Sequence, residues 1–270
     1  MTATASARLV RAAQDRTADF VPPGSVVRRI WGNADMVLLV FAGAAAEFAL
    51  NRAVDWLFFS GELPRDPIGR LFSTAAYSQR IVFADEATAL RTLDRIRAIH
   101  QVVERERGQR IPEWAHRDVL YMLVDYSERA HATLAGPLAP AEQRELYAVF
   151  HRVGTALRIP ELPRTYAAWR ADRELHLRRD LVRGAGTEAL YAAYRRHLGG
   201  WRYRILLGVQ AMLVPDHVRR LLGLAPAPML PRVARLYPLL VRAGFRPVIR
   251  RLLMPAEHLP AVRALDQVAA

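Results

Sequence analysis

The chain of 270 residues contains no cysteine, no lysine and no apolar run long enough to cross a bilayer. Without cysteine, disulfides, thiolate metal sites and cysteine nucleophiles are excluded. The most hydrophobic stretch, Met36 to Ala46, is shorter than the roughly 20 apolar residues that a membrane-spanning helix needs. The first residues also lack the apolar segment of a signal peptide. We therefore expect a soluble, cytoplasmic protein.

All 39 basic residues are arginine, a usage typical of a GC-rich bacterial genome, and the formal net charge is +13. Such a charge creates a positive field that attracts anionic surfaces. However, the arginines are spread along the chain and do not alternate with aromatic residues as in proteins that stack single-stranded bases. The pattern predicts a solvated basic surface and no nucleic-acid partner. Peripheral contact with an anionic membrane, above all through Arg219 to Arg251, is kept as an alternative.

The composition indicates an all-α protein with one large helical domain. Hydrophobic residues make up 52% of the chain, alanine, leucine and arginine dominate, and the few β-branched runs follow a helical period. We predict a polar leader over residues 1–23 and a helical domain over 24–270, whose part from about residue 224 is rich in proline and arginine. The predicted helices include Met36 to Phe59, one starting at Pro67 behind the N-cap Asp66, one starting near Asp85, Glu113 to Leu134, Pro163 to Leu181, Leu190 to Leu198 and Tyr203 to Leu213.

A single histidine, His100, interrupts the apolar stripe of the helix that starts near Asp85. The stripe is formed by Ala89, Leu93, Ile96 and Val103. On spacing alone, a hydrogen-bonded core histidine is the more common interpretation. A neutral imidazole on an apolar wall is also what an iron porphyrin needs for its axial bond.

The preceding helix carries Arg70 and Thr74 one turn apart on the same face. Together they form a donor pair suited to a haem propionate or to bound oxygen. The alternative for Arg70 is an ion pair with Asp66 or Glu62, and for Thr74 a hydrogen bond to its own helix.

The motif Glu-x-x-His, known from di-iron carboxylate proteins, occurs at Glu113/His116 and again at Glu128/His131. On one helix the two motifs are separated by about 22 Å, too far for a common cluster. We therefore do not predict a di-iron centre. The other histidines are expected to be exposed: His151, His176, His197, His217 and His258.

Several strings, in their order along the chain, resemble the oxygenase family that groups MpaB-type enzymes with latex-clearing protein, the rubber oxygenase. These strings are Gly24 to Gly43, Arg65 to Asp85, Arg95 to Val103, Asp118 to Tyr126, Gly136 to Glu142 and Leu213 to Leu224. The string from Asp118 to Tyr121 is more similar to the MpaB branch.

The resemblance implies an all-helical domain around a buried haem b, with His100 at the position of the family's axial histidine. Arg70 and Thr74 match a family arginine and threonine on the oxygen-binding side. Characterised members cleave carbon–carbon double bonds of isoprenoid chains with dioxygen, which implies a hydrophobic substrate.

The chain also departs from the family. Many bacterial members have His-Pro in place of Asn51-Arg52 and His-Ala-Thr near Leu120 to Met122, and the rubber enzymes have lysine in place of Ser73. These replacements remove polar groups that could steer oxygen or a substrate.

We predict a haem b-dependent oxygenase that uses dioxygen on a small hydrophobic molecule, in a biosynthetic or isoprenoid pathway. His100 binds the iron, Arg70 and Thr74 assist catalysis, and four residues form the pocket walls: Phe72, Tyr77, Tyr121 and Met122. The first alternative is a family member without oxygenase activity, either a cyclase- or isomerase-like enzyme or a protein that binds a hydrophobic ligand. The second is a basic peripheral protein bound to membrane or nucleic acid.

Overall fold

The computed structural model describes residues 18–59, 65–227 and 230–267, and this part of the chain is all-α, as the composition predicts. Its residues form one helical domain without a strand, and two isolated β-bridges join Asp19 to Asp85 and Asn51 to Leu181. A short 3-10 helix spans Ala256–His258. In chain order the α-helices are α1 (Val26–Trp31), α2 (Ala34–Phe48), α3 (Asp55–Phe59), α4 (Pro67–Val82), α5 (Glu86–Arg107), α6 (Glu113–Ala135), α7 (Pro140–Ala156), α8 (Tyr166–Arg179), α9 (Ala185–Leu213), α10 (Asp216–Leu222), α11 (Leu230–Arg242), α12 (Arg246–Leu253) and α13 (Leu259–Ala264).

The centre of the domain is the packing of α2 along α6. Gly43 on α2 lies directly against the ring of Tyr126 on α6, since a Cβ added to Gly43 would fall 2.2 Å from a ring carbon. The side chain of Tyr126 is fully buried, and its hydroxyl donates to Glu47 at 2.9 Å. The small residue at position 43 therefore allows the close approach of the two helices.

The predicted helix from Met36 to Phe59 is wrong in its second half, because α2 ends at Phe48. The side chain of Asn51 accepts a hydrogen bond from the Ala53 amide at 2.9 Å, a local turn that competes with the helix. The adjacent backbone pairs with the segment after α8, where Val182 N donates to the Leu50 carbonyl at 2.7 Å. As a result Asn51 enters the core as a buried residue.

Helices α4 and α5 form the antiparallel pair that positions Arg70 and His100. Their predicted starts are confirmed: Asp66 accepts from the Gly69 amide at 2.7 Å, and Asp85 accepts from the Thr88 amide at 2.8 Å.

The end of the predicted leader belongs to the packed part of the domain. Phe20 and Val21 are buried, and Phe20 N donates to the Ala84 carbonyl at 3.0 Å. The rest of the predicted leader up to residue 17 lies outside the described residues.

The predicted helices Leu190 to Leu198 and Tyr203 to Leu213 are the two halves of α9. Gly199 interrupts α9 with φ 72° and ψ 170°, a backbone conformation that favours glycine. The first half starts earlier than predicted, at Ala185.

A buried ionic network joins α2, α6 and α8. Arg173 on α8 donates to both carboxylate oxygens of Glu47, at 2.5 and 2.6 Å, and to Asp125 Oδ2 at 3.0 Å. Asp125 also accepts from Arg129 Nε at 2.8 Å. Although burial opposes its ionisation, the arginines hold the pKa of Asp125 below its usual range. The network fixes α8 against the central helix pair.

Candidate functional site

His100 faces a cavity of about 670 Å³ between the second half of α5, the start of α6 and the segment after α7. The cavity lies within the range of about 300 to 1,000 Å³ that is typical of ligand and cofactor sites. His100 is half-buried, and its ring centroid lies 5.2 Å from that of His116 on α6. The lining also includes four arginines, two glutamates and four apolar residues: Arg97, Arg105, Arg110, Arg158, Glu104, Glu113, Ile111, Leu157, Ile159 and Pro160.

The surroundings keep His100 neutral at pH 7. Burial, with smaller contributions from His116 and Arg70, lowers the pKa of His100 to about 4, and Glu104 opposes the shift. Burial lowers the pKa of His116 as well. Both imidazoles therefore retain a nitrogen lone pair, which is the protonation state that metal binding requires.

Arg70 on α4 acts on His100, since its charge contributes to the lowered pKa of the histidine. Together with Ser73 and Asp66 it lines a separate concavity of about 310 Å³. Thr74 does not line either cavity among the described residues. Its hydroxyl donates to the Arg70 carbonyl at 2.9 Å, which is the local hydrogen bond that the alternative interpretation of Thr74 expected.

Two of the predicted pocket walls, Phe72 and Tyr77, lie on other parts of α4 and are absent from the described lining of the His100 cavity. Phe72 is buried, and its ring stacks on His258 with 5.7 Å between centroids. Tyr77 is half-buried beside Arg80, whose guanidinium carbon lies 5.8 Å from its ring centroid.

The other two predicted walls, Tyr121 and Met122, lie in the buried middle of α6, likewise outside the described lining of the cavity. The Tyr121 hydroxyl donates to Asp172 on α8 at 2.7 Å. The structure therefore brings Arg70 into electrostatic reach of His100 and places Tyr121 and Met122 elsewhere.

The donor set around the cavity fits a haem in two respects. His100 offers a neutral imidazole as an axial ligand. The arginines of the lining offer guanidinium groups that can pair with the two carboxylates of the cofactor. The apolar part of the lining is formed by Ile111, Leu157, Ile159 and Pro160.

A second group of reactive side chains lies where α6 packs against α8. Asp118 comes from α6, His176 from α8, and Asp180 directly follows α8. His176 Nδ1 lies against Asp118 Oδ1 and is 3.0 Å from Asp180 Oδ2. All three residues are buried, and one ligand atom of each lies within 4.8 Å of the others. Imidazole and carboxylate groups at this spacing can bind a divalent metal ion. We call these three residues the Asp-His-Asp cluster.

Further side chains hold the Asp-His-Asp cluster in place. Asn51 Nδ2 donates to Asp118 Oδ2 at 2.8 Å, and Arg179 donates to both oxygens of Asp180 at 2.8 Å each. The other ring nitrogen of His176 lies 3.6 Å from Asp172 Oδ2 and 3.4 Å from Arg179 Nη2. A carboxylate behind the second nitrogen of a histidine is common where the first nitrogen binds a metal.

The sequence interpretation missed this cluster because it expected His176 to be exposed. In the structure His176 is only 2% exposed. A signal was available: Asp172, His176 and Asp180 follow one another at intervals of four residues, which places them on one face of a helix. Asp118 could not be added from sequence, because it comes from a different helix.

Both Glu-x-x-His motifs lie on α6, as predicted. Glu113 and His116 belong to the lining of the His100 cavity. At the other end of α6, His131 is buried and its Nδ1 lies 2.7 Å from the Gly136 carbonyl oxygen. Burial raises the pKa of Glu128 to about 7, although the hydrogen bond from Tyr166 has the opposite effect.

Comparison with known protein families gives one match, over residues 28–251, to the catalytic domain of the ER-bound oxygenases mpaB and B′ and of rubber oxygenase. The chain belongs to this family. No curated protein and no solved structure matches it. The family match confirms the resemblance found in the sequence, while the closer likeness to the MpaB branch stays a prediction.

Membership in this oxygenase family supports an oxygenase activity in general. The matched residues include the His100 cavity and the Asp-His-Asp cluster. Among the described residues, no helix combines the length and the apolar content that crossing a bilayer requires.

Two of the positions at which the sequence resemblance indicates a departure from many bacterial members, Asn51 and Tyr121, lie beside the Asp-His-Asp cluster. The third, Ser73, lines the concavity at Arg70. Asn51, in place of the family's His-Pro histidine, donates to Asp118. Tyr121, near the family's His-Ala-Thr, lies edge-on to His176 with 5.2 Å between ring centroids. Asn51 and Tyr121 thus belong to the surroundings of a buried polar group in this part of the core.

Proposed function

We propose that the protein is a haem b-dependent oxygenase that uses dioxygen on a small hydrophobic molecule. The observation that carries the proposal is the neutral His100, which faces a cavity of about 670 Å³ within a chain of the oxygenase family. Haem, when bound, supplies an iron that binds and activates dioxygen. A biosynthetic or isoprenoid pathway follows from the sequence resemblance only.

The residues around the cavity have distinct roles in this proposal. His100 would hold the haem iron, since the burial that keeps its imidazole neutral leaves a nitrogen lone pair free to bind a metal. The guanidinium groups of the lining, among them those of Arg97 and Arg158, would pair with the cofactor carboxylates. Arg70, whose charge lowers the pKa of His100, would act on the oxygen side together with Thr74, whose hydroxyl donates to the Arg70 carbonyl in this structure.

The proposal is tested by the absorption spectrum of the protein purified from cells grown with a haem precursor. We expect a Soret band in the wild type, its loss in His100→Ala, and its retention in His176→Ala, because His176 lies outside the cavity. His116→Ala is a matched control that removes the second imidazole of the same cavity, and it should keep the Soret band. No Soret band in the wild type, or an unchanged band in His100→Ala, would rule out this ligand assignment.

A second candidate is a metal-dependent enzyme with a non-haem centre at the Asp-His-Asp cluster. The specific observation in its favour is that three buried ligand atoms lie within 4.8 Å of one another. A centre of this kind with open coordination positions is suited to iron or manganese. Elemental analysis of the purified protein tests it: we expect about one metal ion per chain, lost in Asp118→Asn, and a metal-free wild type would exclude this candidate.

A further inference from the structure

Helices α11 and α12 expose an unusual amount of apolar surface. Of the fourteen large hydrophobic residues that are exposed in the described structure, eight lie between residues 201 and 252. They are Trp201, Val233, Leu236, Leu239, Leu240, Phe245, Val248 and Leu252. We call these eight residues the C-terminal apolar surface.

On each helix the exposed apolar residues share one side. At 100° per residue, the four on α11, Val233, Leu236, Leu239 and Leu240, span about 120° of the helix circumference. Val248 and Leu252 on α12 and Phe245, its N-cap residue, follow the three-and-four spacing of a single helix face. An apolar face of this width normally packs against a core or another apolar phase.

The other sides of both helices are fixed to the domain through one carboxylate. The Tyr237 hydroxyl on α11 donates to Asp35, and Arg250 Nε on α12 donates to the same group at 2.8 Å. Arg250 also donates to Asp266 at 2.6 Å. Because these contacts anchor the inner sides, the apolar faces of α11 and α12 stay directed away from the core.

Trp201 belongs to the same region of the surface. Arg202 Nη2 reaches the Arg251 carbonyl at the end of α12, at 3.4 Å, and thereby joins this part of α9 to α12. Tryptophan has an apolar body and a polar N–H, which favour the boundary between lipid and water.

The segment that carries most of this surface is basic, and two of its arginines, Arg246 and Arg250, pair with Asp35 and Asp266. Residues 217–256 contain eight arginines and neither aspartate nor glutamate. Arg235, Arg242 and Arg251 are exposed next to the apolar residues. This combination of an apolar face with flanking cations is typical of helices that lie in the interface of an anionic membrane.

We propose that the C-terminal apolar surface docks the protein on the headgroup region of an anionic phospholipid bilayer. A second copy of the chain is a poorer partner, because a symmetric contact would bring the arginines of both copies together. A nucleic acid would satisfy the arginines and leave the leucine and valine side chains in water. Docking on lipid places both kinds of side chain in favourable surroundings and does not depend on the cofactor at His100.

Co-sedimentation with vesicles tests the proposal, using phosphatidylcholine with and without phosphatidylglycerol at low and physiological salt. The wild type is expected to bind the anionic vesicles and to bind less at higher salt. The double variant Leu239→Asp/Val248→Asp changes residues that are 59% and 61% exposed, and its partition coefficient should fall by roughly tenfold or more. Its matched control is Leu175→Asp/Val182→Asp, which changes two residues on another part of the domain that are 60% and 49% exposed. This control should bind vesicles like the wild type.

A second pair of variants tests the contribution of charge. Arg235→Gln/Arg242→Gln/Arg251→Gln should lower binding to anionic vesicles on the order of 100-fold, because each arginine near the bilayer contributes separately. A control with the same net charge changes three exposed arginines elsewhere: Arg144, Arg164 and Arg178. Circular dichroism confirms that each variant folds.

Three results would overturn the proposal. The first is that both sets of variants bind vesicles like their controls. The second is that the wild type forms a dimer that Leu239→Asp/Val248→Asp dissociates. The third is that the wild type binds DNA at low salt and does not bind anionic vesicles.

Discussion

Replacing Arg173 by methionine should destabilise the protein by about 3 to 5 kcal/mol, the usual cost of removing one partner from a buried ion pair. Arg173 is 2% exposed and donates to Glu47 at 2.5 and 2.6 Å. Without Arg173, the buried Glu47 carboxylate would keep one donor shown in the structure, the Tyr126 hydroxyl at 2.9 Å. The Asp125 carboxylate would keep a charged partner, because Arg129 still donates to it at 2.8 Å.

The unpaired carboxylate of Glu47 is thus the main cause of the expected loss. The double variant Glu47→Gln/Arg173→Met should recover most of the lost stability, since it removes the buried charge as well. Arg170→Met is the matched control, because Arg170 is exposed and lies 4.0 Å from Asp125. For this control we expect a change below about 1 kcal/mol.

Urea unfolding followed by circular dichroism measures these free energies, and the melting temperature of Arg173→Met should fall by roughly 10 °C. A loss below about 1 kcal/mol in Arg173→Met would refute the reasoning. So would a double variant that is no more stable than Arg173→Met alone.

Two further predictions concern α6 and its contacts. Because burial raises the pKa of Glu128 to about 7 from 4.5, the folded protein binds more protons between these pH values than the unfolded chain, and stability should fall as the pH rises from about 4.5 to 7. Glu128→Gln should remove this pH dependence, and its free energy of unfolding should exceed that of the wild type by about 1 to 2 kcal/mol at pH 8. Urea unfolding at several pH values measures this difference. A difference in stability that does not grow with pH would contradict this explanation. Gly43→Ala should destabilise by about 1 to 3 kcal/mol in thermal unfolding, because its Cβ would lie 2.2 Å from the Tyr126 ring. Gly200→Ala has open space around the added Cβ and should leave the melting temperature unchanged or slightly raised; equal effects of the two substitutions would exclude the steric cause.

Local sequence signals predicted most of the helices. Asp66 and Asp85 cap their helices as expected, because an N-cap needs only its own side chain and the next three residues. The break at Gly199 falls between two predicted helices, Leu190 to Leu198 and Tyr203 to Leu213. The end of α2 was not, because it depends on a turn at Asn51 and on pairing with the distant Val182.

The residues of the candidate sites likewise include some that one helix predicts and some that only the packing of several helices brings together. His100 was found from its helical register, and its proximity to Arg70 follows from the pairing of α4 with α5. The proximity of His116 to His100 could not be derived from a register, since it depends on how α6 crosses α5. The Asp-His-Asp cluster likewise combines residues from α6 and from α8 and its end, which only the tertiary structure brings together.

The central claim is that the cofactor binds at the His100 cavity and not at the Asp-His-Asp cluster. The most direct measurement is the molar content of haem and of metals other than haem iron in one preparation of the wild type, with His100→Ala and His176→Ala prepared in parallel. We predict about one haem per chain in the wild type and in His176→Ala, and none in His100→Ala. A haem-free wild type that carries a stoichiometric metal lost in His176→Ala would contradict the account.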